Sequence, residues 1–226
     1  MMKNPTSLDD VVSKILNNLL KRGLIDNDTF NTEDYMTYRE VLLSQQFYVP
    51  QTSITKIASR LLFAIGVISA PKVMVGAGIY TGHALSWLSG YSYLSKKETT
   101  NIYGLDISAE AIAHANNNFQ KINMPNVNCM HADAVSWLRN YDMDPIDVLY
   151  IDIDTKEEGK SKYLELLEAA YPKLSTGALI IAHDVNEEKF LADIAPYITY
   201  TSDKSKFSHN INLNIDPYGL GIAKKL

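Results

Sequence analysis

Five short apolar runs in this chain each end in residues able to do chemistry. Val73–Val75 leads into Gly76-Ala77-Gly78-Ile79-Tyr80-Thr81-Gly82, and Ile102–Leu105 ends at Asp106. Asn126–Met130 leads into His131-Ala132-Asp133-Ala134. Val148–Ile151 ends at Asp152-Ile153-Asp154, and Ala178–Ala182 runs into His183-Asp184-Val185-Asn186. A strand that turns through glycines into a helix aims backbone N–H groups and the helix dipole at whatever lies above the turn. Glycine suits that place because a Cβ would block a ligand's approach or forbid a positive φ. Asp106 follows 28 residues after Gly78, where a carboxylate can take both hydroxyls of a ribose. Asp152 and Asp184 are two hard oxygen donors, a set that suits Mg²⁺ or a similar divalent cation that keeps several waters. His183 is a candidate general base, with an ordinary pKa close to working pH. Against these stand plainer readings: a tight turn with no ligand, solvated loop acids and a merely hydrogen-bonding histidine.

The elements that must position these residues follow from periodicity. Strands are expected at 72–76, 101–105, 126–130, 147–152 and 177–182, and helices at 81–90, 108–122, 133–140, 158–173 and 187–194. Val148–Ile151 and Ala178–Ile181 are continuous apolar runs, as strands buried on both faces should be. Right-handed crossovers then give a Rossmann-like, doubly wound α/β sheet whose ligands bind beyond the carboxyl ends of the strands. Tyr197–Thr201 and Gly219–Ala223 are strand-like around a polar Ser202–Asn214 segment, so an antiparallel C-terminal hairpin is expected at the sheet edge.

Ahead of the sheet, Ser7-Leu8-Asp9-Asp10 reads as a capping box opening a helix to about Lys21, which Gly23 stops. A second helix is expected over Asp34–Gln46 and a third from Pro50 to Gly66. Residues 1–70 are thus read as a helical cap and 71–226 as the α/β core of a single domain. The apolar stripes of the cap helices suit core or dimer contacts. Tyr35, Tyr38, Arg39 and Tyr48 are either packing residues or part of an acceptor pocket.

Composition bounds the class. With 46% hydrophobic and 21% charged residues in 226, the chain is ordinary globular material. Its 21 basic residues against 26 acidic ones, net −5 and without a basic block, argue against a nucleic-acid surface. Cys129, the single cysteine, excludes a disulfide framework and a thiolate metal cluster. No secretory leader and no membrane-length apolar run is visible, so a cytoplasmic location without membrane association is expected.

Taken in order, Ile102–Ala111 (IYGLDISAEA), Asn126–Ala134 (NVNCMHADA), Ile146–Asp154 (IDVLYIDID), Gly177–Asp184 (GALIIAHD) and Tyr218–Lys224 (YGLGIAK), together with Tyr80-Thr81-Gly82, resemble one family. They look like the S-adenosylmethionine-dependent O-methyltransferases of the catechol and caffeoyl-CoA type. The resemblance covers about residues 38–226. It implies a cofactor site in which Gly76 and Gly78 pass under the methionine portion, with Tyr80 and Thr81 in the turn. Asp106 and Ile107 would meet the ribose side, Asp133 and Ala134 the adenine, and Asp152 the cofactor's amino group and the substrate. The family has a glutamate two residues before the first turn glycine; Met74 stands there if that glycine is Gly76, while Gly78 is an equal match.

The family's divalent metal is held by the aspartate after strand four and by an Asp-Asn pair after strand five. Asp152 and Asp184 match the acids, Val185 stands in the Asn place, and Asn186 follows one residue on. The family's lysine, three residues after the first acid, is Thr155 here, with Lys156 next. The metal set expected is therefore Asp152, Asp184 and Asn186.

The function expected is transfer of the sulfonium methyl of S-adenosylmethionine to a hydroxyl of a small aromatic or natural-product acceptor. Either a metal lowers the hydroxyl pKa, or His183 or Asp152 serves as base. A nicotinamide-dependent oxidoreductase shares the turn and the ribose acid, but Gly76-x-Gly78-x-x-x-Gly82 has one residue too many for that fingerprint. A non-catalytic cofactor- or partner-binding module is the third reading. A homodimer through the N-terminal helices is expected. Acceptor specificity is expected from residues 30–50 and 202–217.

Overall fold

The computed structural model describes residues 7–95, 100–155 and 157–226, so Lys156, singled out above, lies outside the described residues. Three helices come first: α1 (Leu8–Lys21), α2 (Thr32–Ser44) and α3 (Lys56–Ser69). Alternation follows: β1 (Val73–Ala77), α4 (His83–Ser95), β2 (Asn101–Asp106), α5 (Ala109–Lys121), β3 (Val127–His131) and α6 (Ala134–Arg139). β4 (Ile146–Ile151), α7 (Tyr163–Ala170), β5 (Leu174–His183) and α8 (Leu191–Thr201) complete the crossovers, and β6 (Phe207–Leu213) and β7 (Leu220–Lys225) form the closing hairpin. The strands make one sheet in the order β3-β2-β1-β4-β5-β7-β6. It is parallel from β3 to β5, and β7 runs antiparallel to both its neighbours. The doubly wound sheet with an antiparallel C-terminal hairpin is the fold read from the sequence.

Two apolar layers sandwich the sheet, and the period of two along each strand assigns residues to them. Met74, Val148, Tyr150, Leu179 and Ile181 face the layer that holds α1 to α5. Val73, Val75, Ala77, Leu149, Ile151, Ile180 and Ala182 face α6 to α8. α1 opens on the expected capping box, in which Asp10 N–H donates to Ser7 Oγ and Ser7 N–H to Asp10 Oδ2. Its stripe of Val12, Leu16 and Leu19 is fully buried against the chain's own core, as is most of the α3 stripe. Tyr35 stacks on Trp87 with ring centroids 5.1 Å apart, and the Tyr38 hydroxyl donates to Ser86 O at 3.0 Å. Both are packing residues.

Several elements differ from expectation for identifiable reasons. α3 begins after a Thr55 cap rather than at Pro50, and it runs through Gly66 instead of stopping there. Gly66 marks a close crossing with α4: a Cβ at this position would run into the Leu88 carbonyl oxygen. Tyr197–Thr201 is the end of α8, because Ile194, Tyr197 and Thr201 are buried at helical spacing. There, packing overrides the β propensity of the run. The outer strand is drawn instead from the polar segment. As an edge strand, β6 buries only Phe207 and Leu213, so its pattern gives little away. The helix expected at 158–173 shortens to α7 and a 3₁₀ turn over Tyr171–Lys173.

The Gly66 crossing yields a prediction. Alanine is the better helix former by ~1 kcal/mol, but overpacking against a fixed backbone costs ~1–3 kcal/mol or more. Gly66→Ala should therefore lower the urea midpoint without changing the m value. A raised midpoint would show that the two helices simply move apart.

Candidate functional site

Successive crossovers leave β1 and β4 in opposite directions, to β2 and β3 on one side and to β5 on the other. The gap between the turns at such a switch point is where a doubly wound sheet binds ligands. A cleft of about 1020 Å³ opens there, above the ends of β1 to β5. Gly78, Tyr80, Thr81, Asp106, Ile107, Asp133, Ala134, Asp152, His183 and Asp184 all line it.

The turn after β1 is built on Gly78, whose φ is +76° and whose N–H donates to Leu105 O at 2.8 Å. A Cβ on Gly78 would collide with the Asp152 backbone carbonyl, so glycine is needed for the turn to meet the end of β4. Gly78 is thus the turn glycine. Gly76 lies inside β1, away from the cleft lining, and its missing Cβ makes room for Ile79 and Leu85. That corrects the expectation that Gly76 passes under a ligand.

Tyr80 N–H donates to Asp106 Oδ2 at 2.8 Å and Ser108 N–H to Asp106 Oδ1 at 2.9 Å, which fixes the carboxylate between turn and cleft. Asp133 caps α6, accepting from Ser136 N–H at 2.8 Å, and this bond holds its pKa below the usual carboxylate range. Thr81 is buried, and its Oγ1 has no hydrogen-bond partner among the described residues.

Beyond β4 and β5 the charged groups converge. Lys160 Nζ lies 2.7 Å from Asp152 Oδ1 and 3.0 Å from Asp184 Oδ2, and it donates to the Tyr163 hydroxyl at 3.0 Å. His183 Nδ1 sits 2.9 Å from Asp184 Oδ1 and 3.3 Å from Asp152 Oδ2. The Tyr150 hydroxyl donates to Asp152 Oδ2 at 3.2 Å. Burial alone would raise the Asp152 pKa, but Lys160 and His183 outweigh it and bring it to about 2. Burial likewise works against a charged His183, yet the two carboxylates prevail and raise it to about 10. A protonated His183 has no free lone pair and so is not the general base suggested by sequence, and Asp152 is too weakly basic for that role. It is an anchor for the two cations.

Asp184 has a φ of +58°, in the left-handed region that a non-glycine residue seldom occupies. This turn brings its carboxylate back over the strand end and sends Val185 into the core below. Asn186 does not join the cluster: its Nδ2 donates to Leu213 O at 3.4 Å and also contacts Asn214 Oδ1. Donor atoms of Asp152, His183 and Asp184 do lie within 4.8 Å of one another. The point between the two carboxylates, however, is taken by the lysine ammonium, and the expected third ligand faces elsewhere. The residues present do not fit the expected Asp152–Asp184–Asn186 metal set.

Sequence reasoning missed Lys160, Tyr150 and Tyr163. Lys160 reaches the site because Thr155 and Gly159 close a short antiparallel bridge that returns the chain under β4. Gly159, at φ +53°, presses against Asp193, whose Oδ2 accepts Lys160 N–H at 3.3 Å. No local pattern announces this loop, although a Gly-Lys pair after an acidic strand end was a place to look. His83, the first residue of α4, lines the cleft as well. Trp87 Nε1–H donates to its Nε2 at 2.9 Å, so Nδ1 carries the proton toward Ser53 Oγ. Burial lowers its pKa to about 4, and it stays neutral.

Residues 75–185 match the family model of a methyltransferase domain. No curated protein matches the chain by sequence. Among solved structures, the chain is similar to an O-methyltransferase from Bacillus cereus in complex with S-adenosylhomocysteine, with a TM-score of 0.66, 14% identity, and 97% and 100% of the two chains covered. The O-methyltransferase TomG from Streptomyces achromogenes, in complex with S-adenosylmethionine, superposes with a TM-score of 0.68 at 13% identity over 86% of this chain and 96% of its own. The methyltransferase PaMTH1 from Podospora anserina, bound to S-adenosylhomocysteine, covers 100% of both chains with a TM-score of 0.66 and 13% identity. The chain shares the fold of these methyltransferase structures.

The ion cluster makes stability depend on pH. His183 goes from 6.5 unfolded to about 10 folded, so its contribution is complete below 6.5 and lost as pH rises through 10. Asp152 goes from 3.8 to about 2, so its contribution is present above 3.8 and lost as pH falls through 2. Unfolding free energy should thus decline from neutral pH toward pH 10, and His183→Gln should flatten that decline. Equal slopes in the two proteins would show that His183 is not a buried imidazolium.

Proposed function

We propose that this chain, through the methyltransferase domain matched over residues 75–185, transfers the methyl of S-adenosylmethionine to a hydroxyl of a small acceptor. The observation that carries the reading is one cleft with two halves: a glycine turn locked to Asp106 at the β1–β2 ends, and His183 between two carboxylates at the β4–β5 ends. In this reading Asp106 takes the ribose hydroxyls with Ile107 beside it, and Ala134 meets the adenine with Asp133 at its amino group. Gly78 lets the methionine end approach, and the orphan Thr81 hydroxyl gains a partner there.

In the reaction the acceptor oxygen forms its bond to the methyl as the carbon–sulfur bond breaks, leaving neutral S-adenosylhomocysteine. Most of the protein's work is alignment of oxygen, methyl and sulfur. The acceptor oxygen must also lose its proton. His183 Nε2 has no partner among the described residues, and an unpaired buried donor costs ~1–3 kcal/mol. An acceptor that has given its proton to solvent and enters as the oxyanion would supply that partner, and the imidazolium Nε2–H would favour it over the neutral hydroxyl. The Tyr218 ring, 6.0 Å from the His183 ring and 40% exposed, would turn aside to admit the acceptor.

Calorimetric titration with S-adenosylmethionine, S-adenosylhomocysteine and NADH tests the cofactor. Tight binding of NADH in place of the other two would restore the oxidoreductase reading. Asp106→Ala should weaken S-adenosylmethionine about ten- to a hundredfold, the ~1.5–3 kcal/mol of a charge-assisted pair. Turnover on a panel of phenols and catechols tests catalysis, and His183→Ala, which removes the cation facing the acceptor oxygen, should cost ~10²–10³ in rate. Binding without turnover on any member would favour a non-catalytic module.

Among the described residues, no helix is long and apolar enough to cross a membrane, and a cytoplasmic location is part of the proposal. So is a homodimer. With the α1 and α3 stripes buried internally, the surface left for it is α2, where Met36 and Leu43 lie two turns apart at 44% and 56% exposure. Sedimentation should give twice the 25.3 kDa chain mass, and Leu43→Glu should return it to the monomer.

A further inference from the structure

We propose that the Lys160 ammonium holds the place of a divalent cation between Asp152 and Asp184, so that this site works without metal and takes acceptors with a single hydroxyl. The second half of this rests on the methyl-transfer reading; the first half stands on geometry alone.

Lys160 is 1% exposed and its three N–H groups are matched by three oxygens: Asp152 Oδ1 at 2.7 Å, Asp184 Oδ2 at 3.0 Å and Tyr163 Oη at 3.0 Å. Its backbone N–H is tied to Asp193 Oδ2, and the ammonium lies 5.3 Å from the Phe190 ring centre. The side chain is therefore seated and not a surface lysine that happened to fold inward. Mg²⁺ bound to the same two carboxylates would need its oxygens at ~2.0–2.1 Å in a near-octahedral shell. That shell would overlap the ammonium and set like charges side by side. Asn186, which would have supplied a further oxygen, is turned to Leu213 and Asn214.

The substitution has a consequence for substrate class. A metal ion with open coordination positions can grip two adjacent acceptor oxygens. With all three N–H groups engaged, Lys160 offers the acceptor nothing to grip. It acts on the reaction through the carboxylates it holds, and so is a positioning residue. The acceptor then needs no vicinal hydroxyl pair.

Metal binding tests the substitution without reference to turnover. Mn²⁺ titration followed by electron paramagnetic resonance should show no binding to the wild-type protein at micromolar Mn²⁺. Lys160→Ala frees one oxygen of each of two carboxylates beside the imidazole and should bind Mn²⁺ at least ~10-fold more tightly. Lys160→Met, which keeps the packing of the stem, serves the same purpose should the alanine variant not fold. Titration with S-adenosylmethionine reports separately on the cofactor site of each variant. Mn²⁺ binding to wild type as tight as to the variants would overturn the proposal, as would the absence of gain in both. Where turnover is found, it should survive EDTA and extend to a phenol with one hydroxyl at a rate within ~10-fold of the matching catechol. EDTA-sensitive turnover or strict need for a catechol overturns it equally. A protein that binds no S-adenosylmethionine would fail the methyl-transfer reading while the Mn²⁺ result still decides the role of Lys160.

Discussion

A lysine ammonium sealed from solvent is tolerable only when each of its donors meets an oxygen, because desolvating a charge costs several kcal/mol that only well-placed partners offset. Around Lys160 that requirement sets the position of much else. β4 and β5 pair in parallel with Ile151 opposite Ala182, so Asp152 and His183 emerge side by side. Asp184 comes one residue later, and in extended chain its side chain would point to the opposite face. The left-handed turn at Asp184 reverses this and returns the carboxylate to the ammonium. Tyr163, at the start of α7, closes the group from below by donating to the His183 carbonyl at 3.1 Å. Strand register, backbone strain and helix start are thus parts of one electrostatic solution.

The same solution explains what could be read in advance. Val148–Ile151 and Ala178–Ile181 announced central strands because burial on both faces demands unbroken apolar runs, and the acids that follow them could only lie at the carboxyl edge. Asp106 and Asp133 were legible for the same reason. Lys160 was not, since it enters from an irregular loop whose bridge between Thr155 and Gly159 has no periodic signature. Gly66 misled because a helix-ending glycine and a helix-crossing glycine look alike until the partner, Leu88, is known. The edge strand β6 was invisible because a strand with one buried residue at each end carries no alternation to detect. Local pattern reports burial well. It reports which residues meet across long stretches of chain poorly.

That limit matters most for the walls of the cleft. The segment Pro50–Ile54, read as the start of a helix, is instead irregular chain with a bend at Gln51 and Thr52, and it lines the cleft together with the turn after β1. Ser53 fastens it to His83 at the start of α4, and Thr55 donates to Asp216 in the loop joining β6 to β7. Asp216 in turn accepts the N–H groups of Tyr218 and Gly219, setting the aromatic ring that stands beside His183. A chain of hydrogen bonds therefore links the N-terminal helices to the last hairpin across the mouth of the cleft. The helices are not an appendage to a finished core: without Thr55, Asp216 loses the partner that ties its loop to α3. In the methyl-transfer reading proposed above, an acceptor reaching His183 would fit between two surfaces, residues 50–54 and Tyr218, that come from opposite ends of the sequence and are held to each other through Thr55 and Asp216. Since neither surface carries a charged side chain, shape and aromatic contact would select the acceptor on that side, while the ion cluster beneath fixes where its oxygen can stand.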